Sequence, residues 1–401
     1  MLRPYQQEAV DKCMKALNDG VPSVLVAPTA FGKSHCIAGI CEQLDNALIL
    51  APSKELVLQD YEKLEQAYDN LGLDKSKLGI YSAGLNRREI KPFTFATVNS
   101  IYRHLDDLNF STVLIDEGDL FNPDAGMYKQ VIDAIGTNRV LGLTATPYRF
   151  QTKNKFDWQT GVLQTTTILR MLTDLGFFKQ LIQTMDVKSL TKSGYLAPIE
   201  YYKDALGQRY TEVLRLNKNA TEYTEESLDQ YGDLSARHTA ELARRAISKG
   251  FAKKILVFAV NVKIAEKIAK LAGVDFITGE TKAKDRDRIL REFKDCDEGI
   301  LVNVATLTTG VDIPSCDCII LARPTQSPRL YSQIVGRGIR IDPDNPDKVC
   351  KLIDCTKTVS KIGKVEDLAI RDGQLFSGST QLTNIKGKTL HIKAKKHVKI
   401  V

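Results

Sequence analysis

The sequence has no apolar run long enough to cross a membrane. Its longest runs, such as residues 255–260 and 318–322, fall far short of the roughly 18 residues that a span needs. A transmembrane helix is therefore not expected. The opening Met1-Leu2-Arg3-Pro4-Tyr5-Gln6 lacks the apolar stretch of a secretory signal, so a cytoplasmic setting is expected, that of the host if the chain is phage-encoded. The eight cysteines contain no CxxC pair and no CxxH pattern. That argues against a zinc ribbon or a disulfide framework and leaves buried, reduced thiols as the expectation. Cys316-Asp317-Cys318 alternates within an apolar run and reads as strand filling. No internal repeat and no low-complexity tract is visible.

What is present is ordinary globular material in quantity. The 401 residues amount to two or three domains at about 150 residues each. Hydrophobic residues make up 43% and charged residues 26%, enough for large cores and unlike a disordered chain. The net charge is +7, and six lysines with no acid fall within residues 386–401. The remainder is nearly neutral, and the basic excess forms a C-terminal segment suited to phosphates.

Short aliphatic runs alternate with helical patterns, the grammar of a parallel sheet covered by helices. Expected strands are 24–26, 47–50, 93–96, 113–115 and 140–143, then 255–258, 275–277, 300–302, 319–321 and 351–353. Helices are expected at 168–178, 226–248, 262–271 and 284–293. The expected class is α/β, with two tandem doubly wound parallel-sheet domains. The divisions are 1–150, a linking or inserted element at 151–250, a second domain at 251–360 and a basic tail at 361–401. Aromatics on both sides of Thr152-Lys153-Asn154-Lys155 suggest a β-hairpin turning there.

Three groups of residues carry chemistry. Ala27-Pro28-Thr29-Ala30-Phe31-Gly32-Lys33-Ser34 leaves a strand and opens a helix. Such a loop aims backbone N–H groups at an anion, with Lys33 neutralising outer phosphates and Ser34 ligating Mg2+. Asp116-Glu117-Gly118-Asp119 ends a buried strand, so that Asp116 is placed to hold Mg2+ and Glu117 to polarise an attacking water. Gln333-Ile334-Val335-Gly336-Arg337-Gly338-Ile339-Arg340 follows much later. Its arginines sit at helical spacing, and their planar guanidiniums suit a phosphoryl group whose charge spreads during transfer.

In this order the three groups resemble the motifs of the superfamily 2 helicases and translocases. The resemblance extends to about Thr356 and implies tandem RecA-like domains using ATP and Mg2+, with Lys33, Asp116, Glu117, Gln333, Arg337 and Arg340 as catalytic residues. Leu2-Arg3-Pro4-Tyr5-Gln6 resembles the adenine-reading motif, which implies that Gln6, supported by Arg3, reads the base. Thr29, Gly32, Lys33, Ser34, Gly310 and Asp312 are implied nucleotide contacts, and Ser34 and Asp116 metal ligands. Pro52, Ser53, Lys54, Thr97, Ser100, Thr278, Gly279 and Thr308 are implied contacts to a nucleic-acid strand. Leu143-Thr144-Ala145-Thr146-Pro147 resembles the coupling motif.

Within the superfamily the motifs look most like RadD-type repair helicases and UvsW-type phage recombination helicases. That implies an ATP-dependent DNA helicase or translocase, acting as a monomer on forked or branched DNA in replication, recombination or repair, with no zinc and no membrane partner. An ATP-gated binding or annealing clamp and an RNA helicase are the alternatives. Phe156 and Trp158, on the expected hairpin, are candidates to stack on a base at a fork. Two departures stand out. Ala30 replaces a usual glycine, which would cost on the order of 1 kcal/mol if the position required a positive φ. Asp-Glu-Gly-Asp is an unusual carboxylate motif, in which Asp119 is expected to link to the second domain, at Gln333.

Overall fold

The computed structural model describes residues 2–393 apart from 107, 158–161, 220, 305–312, 372–373, 378–379, 383–384 and 387–391. The chain divides into two compact units. The first comprises Met1–Arg149 and Arg170–Asp186, the second Phe150–Leu169 and Val187–Val401.

In the first unit, helix α1 (Pro4–Asn18) precedes β1 (Ser23–Val26), α2 (Lys33–Cys41), β2 (Ala47–Ala51) and α3 (Lys54–Leu71). There follow β3 (Leu78–Ser82), β4 (Arg87–Arg88), β5 (Phe93–Thr97), α4 (Val98–Ile101), β6 (Val113–Asp116), α5 (Met127–Ile135) and β7 (Val140–Thr144). After β7 the chain forms β8 (Tyr148–Asp157), β9 (Val162–Met171) and β10 (Gln180–Gln183). The first unit's sheet has the order β10-β1-β7-β6-β2-β5-β3-β4, parallel throughout except for the β3–β4 pair. Strands β1, β2, β5, β6 and β7 are buried at every position, as strands covered by helices on both faces must be.

The second unit runs α6 (Val187–Lys192), β11 (Ile199–Lys203), α7 (Ala205–Arg209), α8 (Glu225–Ser248), β12 (Lys254–Phe258), α9 (Val262–Ala272) and β13 (Phe276–Ile277). It continues through α10 (Ala283–Asp295), β14 (Gly299–Asn303), β15 (Cys318–Leu321), α11 (Pro328–Val335), β16 (Cys350–Asp354) and α12 (Thr358–Ile362). Its sheet is parallel, in the order β11-β16-β15-β12-β14-β13. Helix α8 lays Ala236, Ala240, Ala243 and Ala246 into the core beneath it, a stripe at helical spacing whose small side chains permit close approach. Gly232 permits more, since a Cβ there would stand 2.6 Å from Ile264 Cγ1.

The α/β class and the parallel sheets agree with the sequence reading. Several local expectations do not. Residues 152–155 make no turn: they lie within β8, and the connection to β9 falls at 158–161, outside the described residues. Residues 168–178, expected as helix, finish β9 and then make a 3-10 turn at Leu172–Leu175. The expected linker at 151–250 is divided, because β10 pairs with β1 and returns Arg170–Asp186 to the first unit. In the segment expected as a tail, β17 (Leu368–Arg371), β18 (Gln374–Ser377), β19 (Thr380–Leu382) and β21 (Ile392–Lys393) form a small sheet. Between the last two, β20 (Ile385–Lys386) pairs with β9. Strands β10 and β11 are not legible in the sequence because each lies at the edge of its sheet and mixes polar with apolar residues, unlike the continuous runs of central strands.

Seven cysteines are buried and Cys296 is half-buried. Burial raises the Cys36 and Cys316 thiols to about 12, which lowers the fraction of reactive thiolate at neutral pH. Iodoacetamide labelling of the native protein at mildly alkaline pH, followed by peptide mapping, is expected to modify Cys296 first and the other seven only on unfolding.

Candidate functional site

The loop between β1 and α2 owes its shape to two residues in the left-handed region, Ala30 at φ 68° and Gly32 at φ 90°. Phe31 turns inward between them, fully buried and edge-on to Tyr5 with ring centroids 4.8 Å apart. The Phe31 carbonyl accepts from Gln6 Nε2 at 2.9 Å and from the Tyr5 hydroxyl at 3.1 Å. Gln6 Oε1 in turn accepts from the Arg3 backbone N–H at 2.9 Å. The residues expected to read a base thus also brace the loop. A Cβ at position 32 would stand 2.4 Å from Gln6 Nε2, a second reason for glycine there.

Lys33 opens α2 and faces the end of β6. Its ammonium is 2.9 Å from Asp116 Oδ1 and also bonds Glu117 Oε1. Burial works against the lysine charge, but the two carboxylates outweigh it and raise its pKa. Burial is also the main cause raising the Asp116 pKa, with Lys33 opposing. Glu117 itself is left-handed at φ 54°. The unusual Gly118 has a packing reason: a Cβ there would come 2.9 Å from Gly142 Cα on β7.

Asp119 Oδ1 accepts from Thr144 Oγ1 at 2.7 Å. The carboxylate loop is therefore tied to the expected coupling motif inside the first unit, a partner that the expected link to Gln333 does not include. Ser34 is buried, and its hydroxyl accepts from Gln59 Nε2 at 2.8 Å. Gln59 and its neighbour Asp60, both on α3, lie outside the motifs read from the sequence. The available signal is Asp60 interrupting the apolar stripe Leu56, Val57, Leu64 and Tyr68.

These groups suit the expected nucleotide and metal. Ser34 and Asp116 offer the hard oxygen donors that Mg2+ prefers, and the buried Thr29 Oγ1 has no hydrogen-bond partner among the described residues.

The expected strand contacts of the first unit gather where parallel strands end, the usual location of ligand sites in such sheets. Ser53 caps α3 through Leu56 N–H, and Lys54 beside it is exposed. A Cβ on Gly84 would be 3.3 Å from Lys54 Cδ, which brings the β3 end to the same place. Thr97 is buried, its hydroxyl 3.2 Å from Ser82 Oγ and 2.8 Å from Ser100 Oγ. Ser100 Oγ accepts from Ala83 N–H. Those two hydroxyls are engaged in holding the loops together, whereas Asn99 is exposed. Pro52 is half-buried beside Ser53.

In the second unit, Thr278 is buried and accepts from Glu280 N–H, with Gly279 exposed beside it. Gln333 lies on α11. Helix α11 stops at Val335, so Arg337 and Arg340 do not share a face of a continuous α-helix as expected. Turns carry the chain onward, with Arg337 N–H bonded to Ile334 O and Gly338 N–H to Val335 O. Gly338 passes close against β15 and β16: a Cβ would meet Cys350 Sγ at 2.4 Å and Ile319 Cδ1 at 2.9 Å. Arg337 is buried and Arg340 half-buried. Thr308, Gly310, Asp312 and Trp158 lie outside the described residues, as does the Phe156 side chain.

A phosphate-binding loop with its lysine against a strand-end Asp-Glu pair, followed by a second parallel α/β unit, defines a nucleoside-triphosphate-binding protein of tandem-domain type. Residues 1–149 match the family model described as "Type III restriction enzyme, res subunit", and residues 238–342 match "Helicase conserved C-terminal domain". The chain belongs to the superfamily 2 helicases.

It is 26% identical to the putative ATP-dependent helicase IRC3 of Saccharomyces cerevisiae, over 88% of this chain and 51% of that protein. It is 25% identical to the DNA 3'-5' translocase XPB2 of Sulfurisphaera tokodaii, over 88% of this chain and 81% of that protein. The chain thus spans about half the length of IRC3. Among solved structures it is similar in fold to the DNA-bound restriction-modification enzyme LlaBIII, with a TM-score of 0.61 and 16% identity, covering 88% of this chain and 27% of that one. It is also similar to Mss116p bound to single-stranded RNA, with a TM-score of 0.57 and 14% identity, covering 88% and 69%.

Because Ala30 is left-handed, Ala30→Gly is expected to raise stability by about 0.5–1 kcal/mol, the relief of left-handed strain less the added chain entropy of glycine. Urea unfolding checks this as a higher midpoint at unchanged slope.

Proposed function

We propose that the chain is an ATP-dependent DNA helicase or translocase that remodels forked or branched DNA, of RadD-like or UvsW-like type, working as a monomer. The observation that carries the reading is Lys33 held between Asp116 and Glu117 at the mouth of the phosphate loop. A lysine in that place is ready to exchange carboxylate partners for phosphate oxygens. The named activity of XPB2 as a DNA translocase supports DNA over RNA.

In this reading Gln6, with Arg3 behind it, binds adenine, and Thr29, Gly32 and Lys33 receive the phosphates. Ser34 and Asp116 would hold Mg2+, which supplies charge neutralisation at the phosphates. Glu117 orients and deprotonates the attacking water. Arg337 and Arg340 stabilise the charge that spreads over the transferred phosphoryl group, with Gln333 supporting them. The Asp119–Thr144 hydrogen bond passes the state of the carboxylate loop to β7. Lys54, Asn99 and Gly279, exposed at their loops, contact the strand backbone.

Steady-state ATPase activity across single-stranded, duplex, forked and four-way-junction DNA and single-stranded RNA tests the proposal. Forked or junction DNA is expected to stimulate most. Glu117→Gln is expected to reduce turnover by at least about a hundredfold, the lower range for loss of general-base assistance, and Lys33→Ala by about as much through loss of the cation that stabilises charge on the phosphates. Full turnover in either variant would overturn the assignment. Stimulation by RNA alone would move the substrate to RNA, and no stimulation by any polymer would favour an ATP-gated clamp.

A further inference from the structure

The loop that leads from β15 into α11 is held by residues far upstream of it. Glu222, ahead of α8, meets this loop with its carboxylate. Its Oε2 accepts from Thr325 Oγ1 at 2.6 Å, across 103 positions of chain, and its Oε1 accepts from the Gln326 N–H at 3.1 Å. Thr325 and Gln326 are buried. Tyr223, next to Glu222, accepts from Gln326 Nε2 at its hydroxyl, where Lys361 of α12 also donates.

Glu222 and Tyr223 are themselves braced. Leu216 and Tyr223 form an antiparallel bridge, the Asn217 N–H donates to Glu222 O at 2.8 Å, and the Thr224 N–H donates to Arg215 O at 2.8 Å. Tyr223 packs in a small core with Leu228, Tyr231 and Val260, and the Thr224 side chain caps α8. The carboxylate is thus presented by a fixed segment.

The hydrogen-bond inventory gives the contact a direction. An ionised carboxylate only accepts, so Thr325 spends its one proton on Glu222 and keeps its lone pairs for other donors. One of these accepts from the Ser327 N–H at 2.9 Å. Ser327 in turn caps α11, its Oγ accepting from the Leu330 N–H at 3.2 Å. The series Glu222, Thr325, Ser327 therefore ends at the N-terminus of the helix that carries Gln333 and leads to Arg337 and Arg340. That helix has only 8 residues, so the placement of its first turn governs its last.

We propose that Glu222 is a positioning residue for phosphoryl transfer, fixing the start of α11 through Thr325 and Ser327 and with it the placement of Arg337. The inference rests on the reading of Arg337 as a group that stabilises the transferred phosphoryl, and adds to it a residue outside the motifs.

The test is steady-state ATPase kinetics of the full chain with forked DNA, alongside thermal melting. Wild type, Glu222→Ala, Glu222→Gln, Thr325→Val, Arg337→Ala and the Glu222→Ala/Arg337→Ala double variant are compared. Thr325→Val removes the same bond at nearly constant shape and is the second variant should Glu222→Ala fail to fold. Glu222→Ala and Thr325→Val are each expected to lower kcat about tenfold, the scale of one hydrogen bond to a charged group. The KM for ATP should stay within about twofold, as for loss of an interaction made in the transition state alone. Glu222→Gln keeps an acceptor for Thr325 and should fall between Glu222→Ala and wild type. The double variant should lose less than the product of the two single losses, because Glu222 acts through the arginine.

An unchanged kcat in Glu222→Ala and Thr325→Val, a loss expressed in KM alone, or losses that multiply in the double variant would each overturn the proposal. Full turnover by Arg337→Ala would instead overturn the arginine reading on which it rests.

Discussion

The pairing of Lys33 with Asp116 and Glu117 is the constraint on which the first unit's site depends. It joins the N-terminus of α2 to the end of β6, with Lys33 and Glu117 84 positions apart in the chain. A lysine and two carboxylates so enclosed lose hydration, and each is tolerable because the others are present. The same pairing keeps the cation where phosphate oxygens would replace the carboxylates. Stability and readiness for an anion therefore come from one arrangement.

Around it, the backbone takes unusual conformations. Ala30 and Glu117 both have positive φ, and Gly118 passes against Gly142 with no room for a side chain. Strain of this kind persists where the surroundings over-determine it. Here the Gln6 and Tyr5 bonds to Phe31 O hold one loop, while the Asp119–Thr144 bond holds the other. The phosphate loop and the carboxylate loop are each fastened to a neighbouring element, α1 for the first and β7 for the second.

The strand-end loops divide their residues differently. Thr97 and Ser100, both expected to touch a nucleic-acid strand, direct their hydroxyls to Ser82 and Ala83. The motifs thus have structural members and exposed members, and Lys54, Asn99 and Gly279 are of the exposed kind. A motif read from sequence cannot separate the two, because a hydroxyl that binds a neighbouring loop and one that binds a ligand have the same letter.

Much of the fold was legible because central parallel strands must be apolar on both faces, so β1, β2, β5, β6 and β7 stand out as short aliphatic runs. The phosphate loop and the Asp-Glu pair were legible because their chemistry requires particular residue types at the ends of such strands. The edge strands β10 and β11 were not, since partial exposure mixes their composition. The turn of the β8–β9 pair was misplaced because alternating aromatics mark a strand as readily as the flanks of a turn. Only the tertiary structure showed Gln59 donating to Ser34, the partner of Asp119 and the end of α11 before Arg337. Each depends on groups distant in sequence, and local periodicity carries no record of which distant group a side chain will meet.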